Sequence, residues 1–235
     1  MPLKAVFFDA AGTLIEPAEP VGATYARFAA QHGIQTDATA VMQAFRAAWK
    51  ASPPALHPVG QCSEDDDRGW WKALVADVFA RVLGVPVAVA VLERLFPDLY
   101  EHFARPEAWM VYEDVRPALE DLSRDHHLLV LSNFDRRLRS ILAGHELSHF
   151  FSQVILSSEV GAAKPHARMF DTALSAAGCA PGECLHVGDD AKCDMVGAES
   201  AGIHFFAVHR PENSLQALVQ KVRSGAYSGL RSPRK

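Results

Sequence analysis

The sequence contains few cysteines and no long apolar run, and both absences exclude classes of protein. Among its 235 residues are 4 cysteines, none in a C-x-x-C pair, so their spacing suits neither a zinc knuckle nor a disulfide framework. No apolar run approaches the roughly 18 residues that a membrane-spanning helix needs. No signal peptide is visible at the N-terminus. We therefore expect reduced thiols, no membrane partner and a cytoplasmic location.

An excess of positive charge is also absent. The formal net charge is -5, which gives no electrostatic reason to expect nucleic acid as a partner. The basic segment 224–235 is short, and we predict that it is a flexible C-terminal tail. Apolar residues make up 49% of the sequence, which excludes global disorder and allows a large core. The length fits one large domain, or one domain that carries a smaller insertion.

Five short apolar segments predict the strands of a parallel sheet. They are continuously apolar rather than alternating, which is typical of strands that are covered on both faces. These segments are residues 4–9, 127–132, 152–156, 184–188 and 203–208. Helical patterns separate the last four, and two of these helices are expected to end at Gly178 and Gly202. This alternation predicts a doubly wound α/β core.

Residues 16–110 interrupt the alternation of strands and helices. This stretch contains no convincing strand pattern, and its apolar residues follow helical spacing. The helical segments are residues 22–33, 38–52, 68–84 and 89–103. We therefore predict an α-helical domain over residues 16–110, inserted into a core domain that comprises residues 1–15 and 111–223.

Polar side chains follow four of the predicted strands near their carboxyl ends. In chain order they are Asp9, Ser132, Asn133, Lys164, Asp189, Asp190 and Asp194. Ligands bind at this edge of open α/β sheets, and right-handed crossovers bring the strand ends together. Clustered carboxylates repel one another unless a cation lies between them, and oxygen ligands suit Mg²⁺.

These residue types also suit the transfer of a phosphoryl group. Asp9 could attack as a nucleophile, Mg²⁺ and Lys164 could neutralise the developing charge, and Ser132 could hold a phosphate oxygen. Each residue alone has a commoner role, such as a helix cap, a turn residue or a solvated lysine. The agreement of four strand ends is what favours a functional site.

The order of these segments resembles the four motifs of the haloacid dehalogenase-like hydrolases. "FFDAAGTL" resembles the first motif, D-x-D-x-T, and "LVLSN" resembles the second, an apolar strand that ends in Ser or Thr. "AAKPHARMF" resembles the third, with a lysine before proline, and "HVGDDAKCDMVGA" resembles the fourth, G-D-x-x-x-x-D. The resemblance covers the whole chain except the tail. It implies a Rossmann-like α/β core, with the helical insertion as the cap of the subgroup whose cap follows the first motif.

The resemblance implies a role for each residue that would handle the phosphoryl group. Asp9 would be the nucleophile and would form a covalent aspartyl intermediate. Ser132 and Asn133 would bind the transferring group, and Lys164 would neutralise both Asp9 and the phosphate. The substrate would be a small phosphorylated molecule. The branch that the sequence resembles most has poorly defined substrates, and the sequence decides neither the substrate nor the oligomeric state.

The resemblance also implies a Mg²⁺ site beside the nucleophile. The ligands would be Asp9, Asp189 and the main-chain carbonyl of Ala11, with Asp194 acting through water or as a supporting partner. Thr13 would support the loop of the first motif. Gly12 would allow the tight turn of that loop.

Ala11 departs from the pattern of the family's phosphatases. They place a second aspartate at this position, which protonates the leaving alkoxide and then activates water, and such acid–base help is worth ~10²–10⁴-fold. One explanation is a substrate with a good leaving group, such as an acyl or aryl phosphate. Asp135 is a candidate substitute acid, although an N-cap role for the helix that follows is the more common interpretation.

Three further explanations of Ala11 stay open. The 2-haloacid dehalogenases also lack the second aspartate, and Arg46 could bind a substrate carboxylate. Those enzymes use no metal and lack the carboxylates of the fourth motif, so Asp189 and Asp190 oppose this function. Phosphonoacetaldehyde hydrolases carry alanine here and need a cap lysine for a Schiff base, for which Lys50 is the candidate. A metal- and phosphate-binding protein that has lost turnover is the third explanation.

Overall fold

The computed structural model describes residues 2–53, 55 and 67–227. Its strands are β1 (Ala5–Phe8), β2 (Ile15–Pro17), β3 (Trp109–Val111), β4 (His127–Ser132), β5 (Gln153–Leu156), β6 (Cys184–Gly188) and β7 (His204–Ala207). Its helices are α1 (Val21–Gln31), α2 (Ala38–Ala51), α3 (Arg68–Leu83), α4 (Val89–His102), α5 (Val115–Leu122), α6 (Arg137–Gly144), α7 (Ser157–Val160), α8 (Ala167–Ala177), α9 (Val196–Ser200) and α10 (Leu215–Arg223). The part of the predicted tail after residue 227, and Cys62, lie outside the described residues.

A parallel sheet of five strands forms the centre of the fold, in the order β5-β4-β1-β6-β7. Ala5 of β1 lies opposite His127 of β4 on one side and Cys184 of β6 on the other. These are the five strands that the apolar segments predict, shorter by one residue at one or both ends in three of them. The predicted α/β fold class is confirmed. Because β1 is the middle strand, the residue that follows it comes out at the centre of the carboxyl edge.

Both faces of the sheet are covered, which explains why its strands are continuously apolar. Val6 and Phe8 pack with apolar residues of α5, α6 and α10. Ala5 and Phe7 point to the other face and pack with residues of α8 and α9. Each large side chain buried in this way contributes roughly 1.5–3 kcal/mol to the free energy of unfolding. Two hydrophobic clusters therefore hold the strand ends in place from both sides.

Strands β2 and β3 form a separate antiparallel pair, with Ile15 opposite Val111. The prediction that residues 16–110 hold no strand is wrong at both of its ends, because β2 and β3 extend into this range. Each strand has three residues, too few to produce a recognisable periodicity. The pair holds the start and the end of the inserted segment next to each other.

Helices α1–α4, called the inserted helices below, occupy the segment between β2 and β3. They lie where the apolar spacing predicts helices, and they have a hydrophobic cluster of their own. Tyr25 of α1, for example, stacks on Phe79 of α3 with ring centroids 6.0 Å apart. The domain boundaries at residues 15/16 and 110/111 stay a prediction. Among the described helices, none is both long and apolar enough to cross a membrane.

Candidate active site

Asp9 follows β1 directly and opens a tight turn. The turn closes through backbone hydrogen bonds from Leu14 and Ile15 to the carbonyl of Ala10. Gly12 has a φ of +85°, in the region that favours glycine. A Cβ atom at this position would lie 2.5 Å from Oδ2 of Asp189, so only glycine fits there. The end of β1 and the end of β6 are therefore packed in direct contact.

Lys164 lies between two carboxylates at the centre of the site. Its Nζ donates to Oδ1 of Asp9 at 2.8 Å and to Oδ1 of Asp194 at 2.6 Å. The lysine side chain is 1% exposed. Burial favours the neutral amine, but the two carboxylates overcome this effect and raise the pKa of Lys164 above its usual range. The lysine is therefore a fixed positive charge beside Asp9.

Asn133 holds the segment that carries this lysine. Its Nδ2 donates to the carbonyl of Lys164 at 3.0 Å, and its Oδ1 accepts from the Lys164 backbone N–H at 2.6 Å. Both ends of its amide contact the backbone of Lys164, so the side chain positions this lysine. Since Nδ2 carries a second N–H, the role of Asn133 in binding the transferring group stays a prediction. Ser132 is buried and lines the site beside Asp9, and its hydroxyl lowers the pKa of the Asp9 carboxyl against the effect of burial.

Asp194 is fixed by donors on three sides. Besides Lys164, its Oδ1 lies 2.9 Å from Nε2 of His186, and its Oδ2 accepts from the backbone N–H of Asp190 at 3.1 Å. The other ring nitrogen of His186 lies 3.1 Å from the carbonyl of Phe7. Burial opposes ionisation of Asp194, but Lys164 and His186 hold the pKa of this carboxyl below its usual range. Because both oxygens of Asp194 already accept hydrogen bonds, this residue fits the supporting role at the metal that the resemblance implies.

Three carboxylates converge at the carboxyl edge of the sheet. One oxygen from each of Asp9, Asp189 and Asp194 lies within 4.8 Å of the others. Asp189 is exposed to the cavity, yet partial desolvation raises the pKa of its carboxyl to about 6, and the charges of Asp9 and Asp194 add to this effect. Burial also raises the pKa of Asp9, against the lowering effect of Lys164. A divalent cation would relieve this repulsion, and an all-oxygen donor set suits Mg²⁺, so the residues present fit the ion.

The raised pKa of Asp189 predicts that Mg²⁺ affinity depends on pH. Below about 6 the Asp189 carboxyl carries a proton that the ion must displace, so affinity should fall about tenfold for each pH unit lost. Titration calorimetry with MgCl₂ at pH 7.5, 6.5 and 5.0 measures this. Asp189→Asn should abolish this dependence of Mg²⁺ affinity on pH. Asp171→Asn, a change at an exposed position of α8, should preserve it. Equal affinity at all three pH values would contradict the expectation.

Arg210 is a site residue that the sequence analysis missed. Its guanidinium donates to the carbonyls of Gly12 at 3.3 Å and Thr13 at 2.8 Å. It also pairs with Asp114 at 2.9 Å and lies over the ring of Tyr112, 3.9 Å from its centre. Arg210 follows β7, beyond the motif segments, and a lone arginine there gives no sequence pattern to recognise. It fixes the turn after Asp9 from the opposite end of the chain.

Asp135 does not offer a free carboxyl to the site. Its two oxygens accept from the guanidinium of Arg137 at 2.8–3.1 Å, and its Oδ1 also accepts from the Arg137 backbone N–H. Asp135 lies next to the start of α6, but the N-cap residue of this helix is Arg136, so the predicted N-cap position is wrong by one residue. The ion pair with Arg137 engages both carboxylate oxygens, which opposes a role for Asp135 as the substitute acid. Arg137 in turn lies 3.9 Å from the ring centre of Tyr100, which ties the start of α6 to α4.

A cavity of about 540 Å³ lies between the sheet edge and the inserted helices. Asp9, Ala11 and Lys164 line one part of it, and Arg46 lines another. Thr13 stands behind this surface, fully buried, and its hydroxyl donates to Asp189 at 3.3 Å. Asp190 also lines the cavity, but its carboxylate accepts from the backbone N–H groups of Lys192 and Cys193. Lys50 is exposed on α2 and is not among the described lining residues, which weakens the Schiff-base alternative.

Two solved structures are similar in fold to this chain. The magnesium-bound HAD-hydrolase YfnB from Bacillus subtilis matches with a TM-score of 0.73 and 16% identity, over 95% of this chain and 100% of that one. The L-2-haloacid dehalogenase from Xanthobacter autotrophicus matches with a TM-score of 0.67 and 23% identity, over 95% of this chain and 83% of that one. At these identities the likeness concerns the fold alone.

Two proteins found by sequence comparison have higher identity to this chain than these two structures have. The mouse protein named haloacid dehalogenase-like hydrolase domain-containing protein 3 is 38% identical over 207 residues, which are 88% of this chain and 82% of that protein. The zebrafish (Danio rerio) protein of the same name is 34% identical over 230 residues, 93% of this chain and 94% of that protein. The family model described as haloacid dehalogenase-like hydrolase matches residues 3–202. With the site's geometry and these matches in agreement, the chain belongs to the haloacid dehalogenase-like hydrolases.

Proposed function

We propose that this hydrolase is a Mg²⁺-dependent phosphatase that acts on a small phosphorylated molecule through Asp9. The observation that carries the proposal is the position of the Lys164 ammonium, 2.8 Å from Asp9 and buried against a cluster of three carboxylates. A phosphate that approaches Asp9 meets a fixed positive charge there. Such preorganised charge is the main requirement of phosphoryl transfer.

The chemistry would proceed in two displacements at phosphorus. An Asp9 oxygen attacks the phosphorus atom, the bond to the leaving oxygen breaks, and that oxygen departs with the electron pair. Water then attacks the phosphorus of the aspartyl phosphate, which releases inorganic phosphate and restores the carboxylate. Lys164 offsets the charge in both steps, and Ser132 donates to a phosphate oxygen. The inserted helices would act as a cap that excludes water during the first step.

The metal would be held beside the nucleophile. Asp9, Asp189 and the main-chain carbonyl of Ala11 would be its ligands, with Asp194 in the supporting place that its hydrogen bonds suggest. When bound, Mg²⁺ would neutralise negative charge on the phosphate oxygens. Gly12 allows the loop to pack closely against Asp189, and the Thr13 hydroxyl donates a hydrogen bond to that carboxylate, which positions it for this arrangement.

Dehalogenation is the second candidate function. Ala11 favours it, because a halide leaves without a proton, and Arg46 lines the cavity where a substrate carboxylate could bind. Asp189 opposes it, because the dehalogenases of this family use no metal and lack carboxylates at this strand end. The cluster of three carboxylates makes phosphate chemistry the better supported function.

Hydrolysis of p-nitrophenyl phosphate with and without Mg²⁺ tests the proposal. We expect turnover that needs the ion, is lost in Asp9→Asn and persists in Asp171→Asn. Turnover of 2-chloropropionate without metal, together with no activity on the phosphate ester, would establish the dehalogenase function instead. If a folded protein that binds Mg²⁺ hydrolyses neither compound, the function as a binding protein is favoured.

A cytoplasmic location stays part of the proposal. Cys179, Cys184 and Cys193 are free cysteines, and Cys62 lies outside the described residues. Burial raises the pKa of Cys184 to about 12 and that of Cys193 to about 11, so both are uncharged thiols at neutral pH. Unpaired, unactivated thiols are compatible with a reducing compartment.

A further inference from the structure

The walls of the cavity above Asp9 are unusually aromatic. Of the 24 described residues that line it, 9 are Phe, Trp or Tyr, whereas these residues make up 9% of the sequence. Phe45, Trp49 and Trp71 form a continuous part of the wall, since Trp49 lies 5.9 Å from each of the other two rings between centroids. Phe96 and Tyr100 of α4 also line the cavity and are 5.5 Å apart. The surface that faces the non-phosphate part of a substrate is therefore largely aromatic, with Arg46 and Arg137 as its charged members.

Such a surface selects against polar leaving groups. The hydroxyl groups of a sugar or a polyol would lose their hydrogen bonds to water and find few replacements on aromatic rings. An aromatic ring, in contrast, stacks on these side chains and buries apolar area. The cavity of about 540 Å³ lies within the range of sites that enclose drug-sized ligands, so a small acyl group would leave most of it unfilled.

Ala11 points to the same class of substrate by an independent route. It lines the cavity beside Asp9, at the position where an acid would protonate the leaving oxygen. Asp135 cannot replace that acid, because Arg137 occupies its carboxylate. A substrate whose leaving oxygen departs without a proton fits this arrangement. A phenol oxygen can do so, because the aromatic ring delocalises the negative charge.

The geometry points to phosphate monoesters of phenols, with one or two aromatic rings in the leaving group, as the substrate class; this inference rests on the proposed phosphatase function. In the reaction, the bond between phosphorus and the phenolic oxygen breaks as Asp9 attacks. The phenolate leaves with the electron pair and takes its proton from water. The aromatic wall holds the ring while this bond lengthens.

A comparison of 2-naphthyl phosphate with acetyl phosphate tests the substrate class. Acetate is the better leaving group but has no ring, so leaving-group chemistry alone favours acetyl phosphate. We expect kcat/KM for 2-naphthyl phosphate to be at least about tenfold higher, and phenyl phosphate to lie between the two. A higher kcat/KM for acetyl phosphate, with turnover still dependent on Asp9, would overturn the assignment of phenol esters as the substrate class. The proposed phosphatase function would not be affected by this result.

Variants at Trp49 test whether the wall is responsible. Trp49 is 51% exposed, so Trp49→Ala should leave the fold intact. We expect the ratio of kcat/KM for 2-naphthyl to acetyl phosphate to fall about tenfold, and Trp49→Phe to restore most of it. Val89→Ala, at an exposed position of α4 that is not among the described lining residues, is the control and should leave the ratio unchanged. An unchanged ratio in Trp49→Ala would contradict the claim that the aromatic wall selects the aryl ester.

Binding separates this inference from the proposed function. Titration calorimetry on Asp9→Asn with Mg²⁺ compares 2-naphthyl phosphate with inorganic phosphate without any turnover. We expect the aryl ester to bind at least about tenfold tighter. If it binds no tighter than phosphate, the aryl assignment is wrong whatever the activity assays give. If it binds tighter but the wild type turns over no phosphate ester, the pocket assignment stands and the phosphatase function is the part that fails.

Discussion

Replacing Ala11 by aspartate should raise kcat/KM for alkyl phosphates by about 10²- to 10⁴-fold. The reason is that alkoxides are poor leaving groups and need a proton, which an acid beside Asp9 can supply. Residue 11 is exposed and lines the cavity, so the longer side chain has room. The gain should shrink for p-nitrophenyl phosphate, whose leaving group needs little protonation. Steady-state kinetics over a series of esters of increasing leaving-group pKa measures this trend.

Ala11→Asn is the matched control for this gain. Asparagine has nearly the shape of aspartate but no proton to donate at neutral pH, so it should not accelerate alkyl-phosphate hydrolysis. Mg²⁺ titration of both variants checks that the site still binds the ion. If Ala11→Asp and Ala11→Asn behave alike while both bind Mg²⁺, the missing acid is not the cause of slow alkyl turnover.

Replacing Lys164 by methionine should lower the free energy of unfolding by about 3–5 kcal/mol in the absence of Mg²⁺. Methionine fills a similar volume but leaves the carboxylates of Asp9 and Asp194 buried together without their common cation. Urea unfolding in the presence of a chelator measures the change. Phosphatase activity should be lost at the same time, because no fixed charge then faces the substrate.

The double variant Lys164→Met with Asp9→Asn tests the origin of this instability. Removing one of the two carboxylate charges should restore a large part of the lost free energy, because the remaining Asp194 still has His186 as a partner. The two single changes should therefore be strongly non-additive. If their effects simply add, the loss in Lys164→Met reflects side-chain packing and not charge.

The central sheet and most of the site could be predicted because they leave local patterns in the sequence. A strand that is covered on both faces must be apolar throughout, so the five sheet strands are visible as apolar segments. The parallel arrangement then places whatever follows each strand at one edge. Asp9, Lys164 and the carboxylates after β6 meet there for this reason.

The parts that were missed depend on partners distant in sequence. Strands β2 and β3 are too short for a pattern and are defined by pairing with each other across the inserted segment. The contact of the Asn133 amide with the backbone of Lys164 follows from which atoms lie opposite this side chain, and only the fold decides this. Arg210 is the clearest case, since its function lies entirely in contacts with a turn at the other end of the chain.

The Arg210 contact also bears on how the protein is made. During translation β1 emerges early, yet its place in the sheet needs β4 on one side and β6 on the other. The guanidinium that holds the carbonyl of Thr13 comes 197 residues after it. A ribosome-bound chain that ends before β7 therefore carries the nucleophile without the clamp on its turn. The turn after Asp9 is therefore completed only once Arg210 has been synthesised, and closing so long a loop makes this step a slow event in folding.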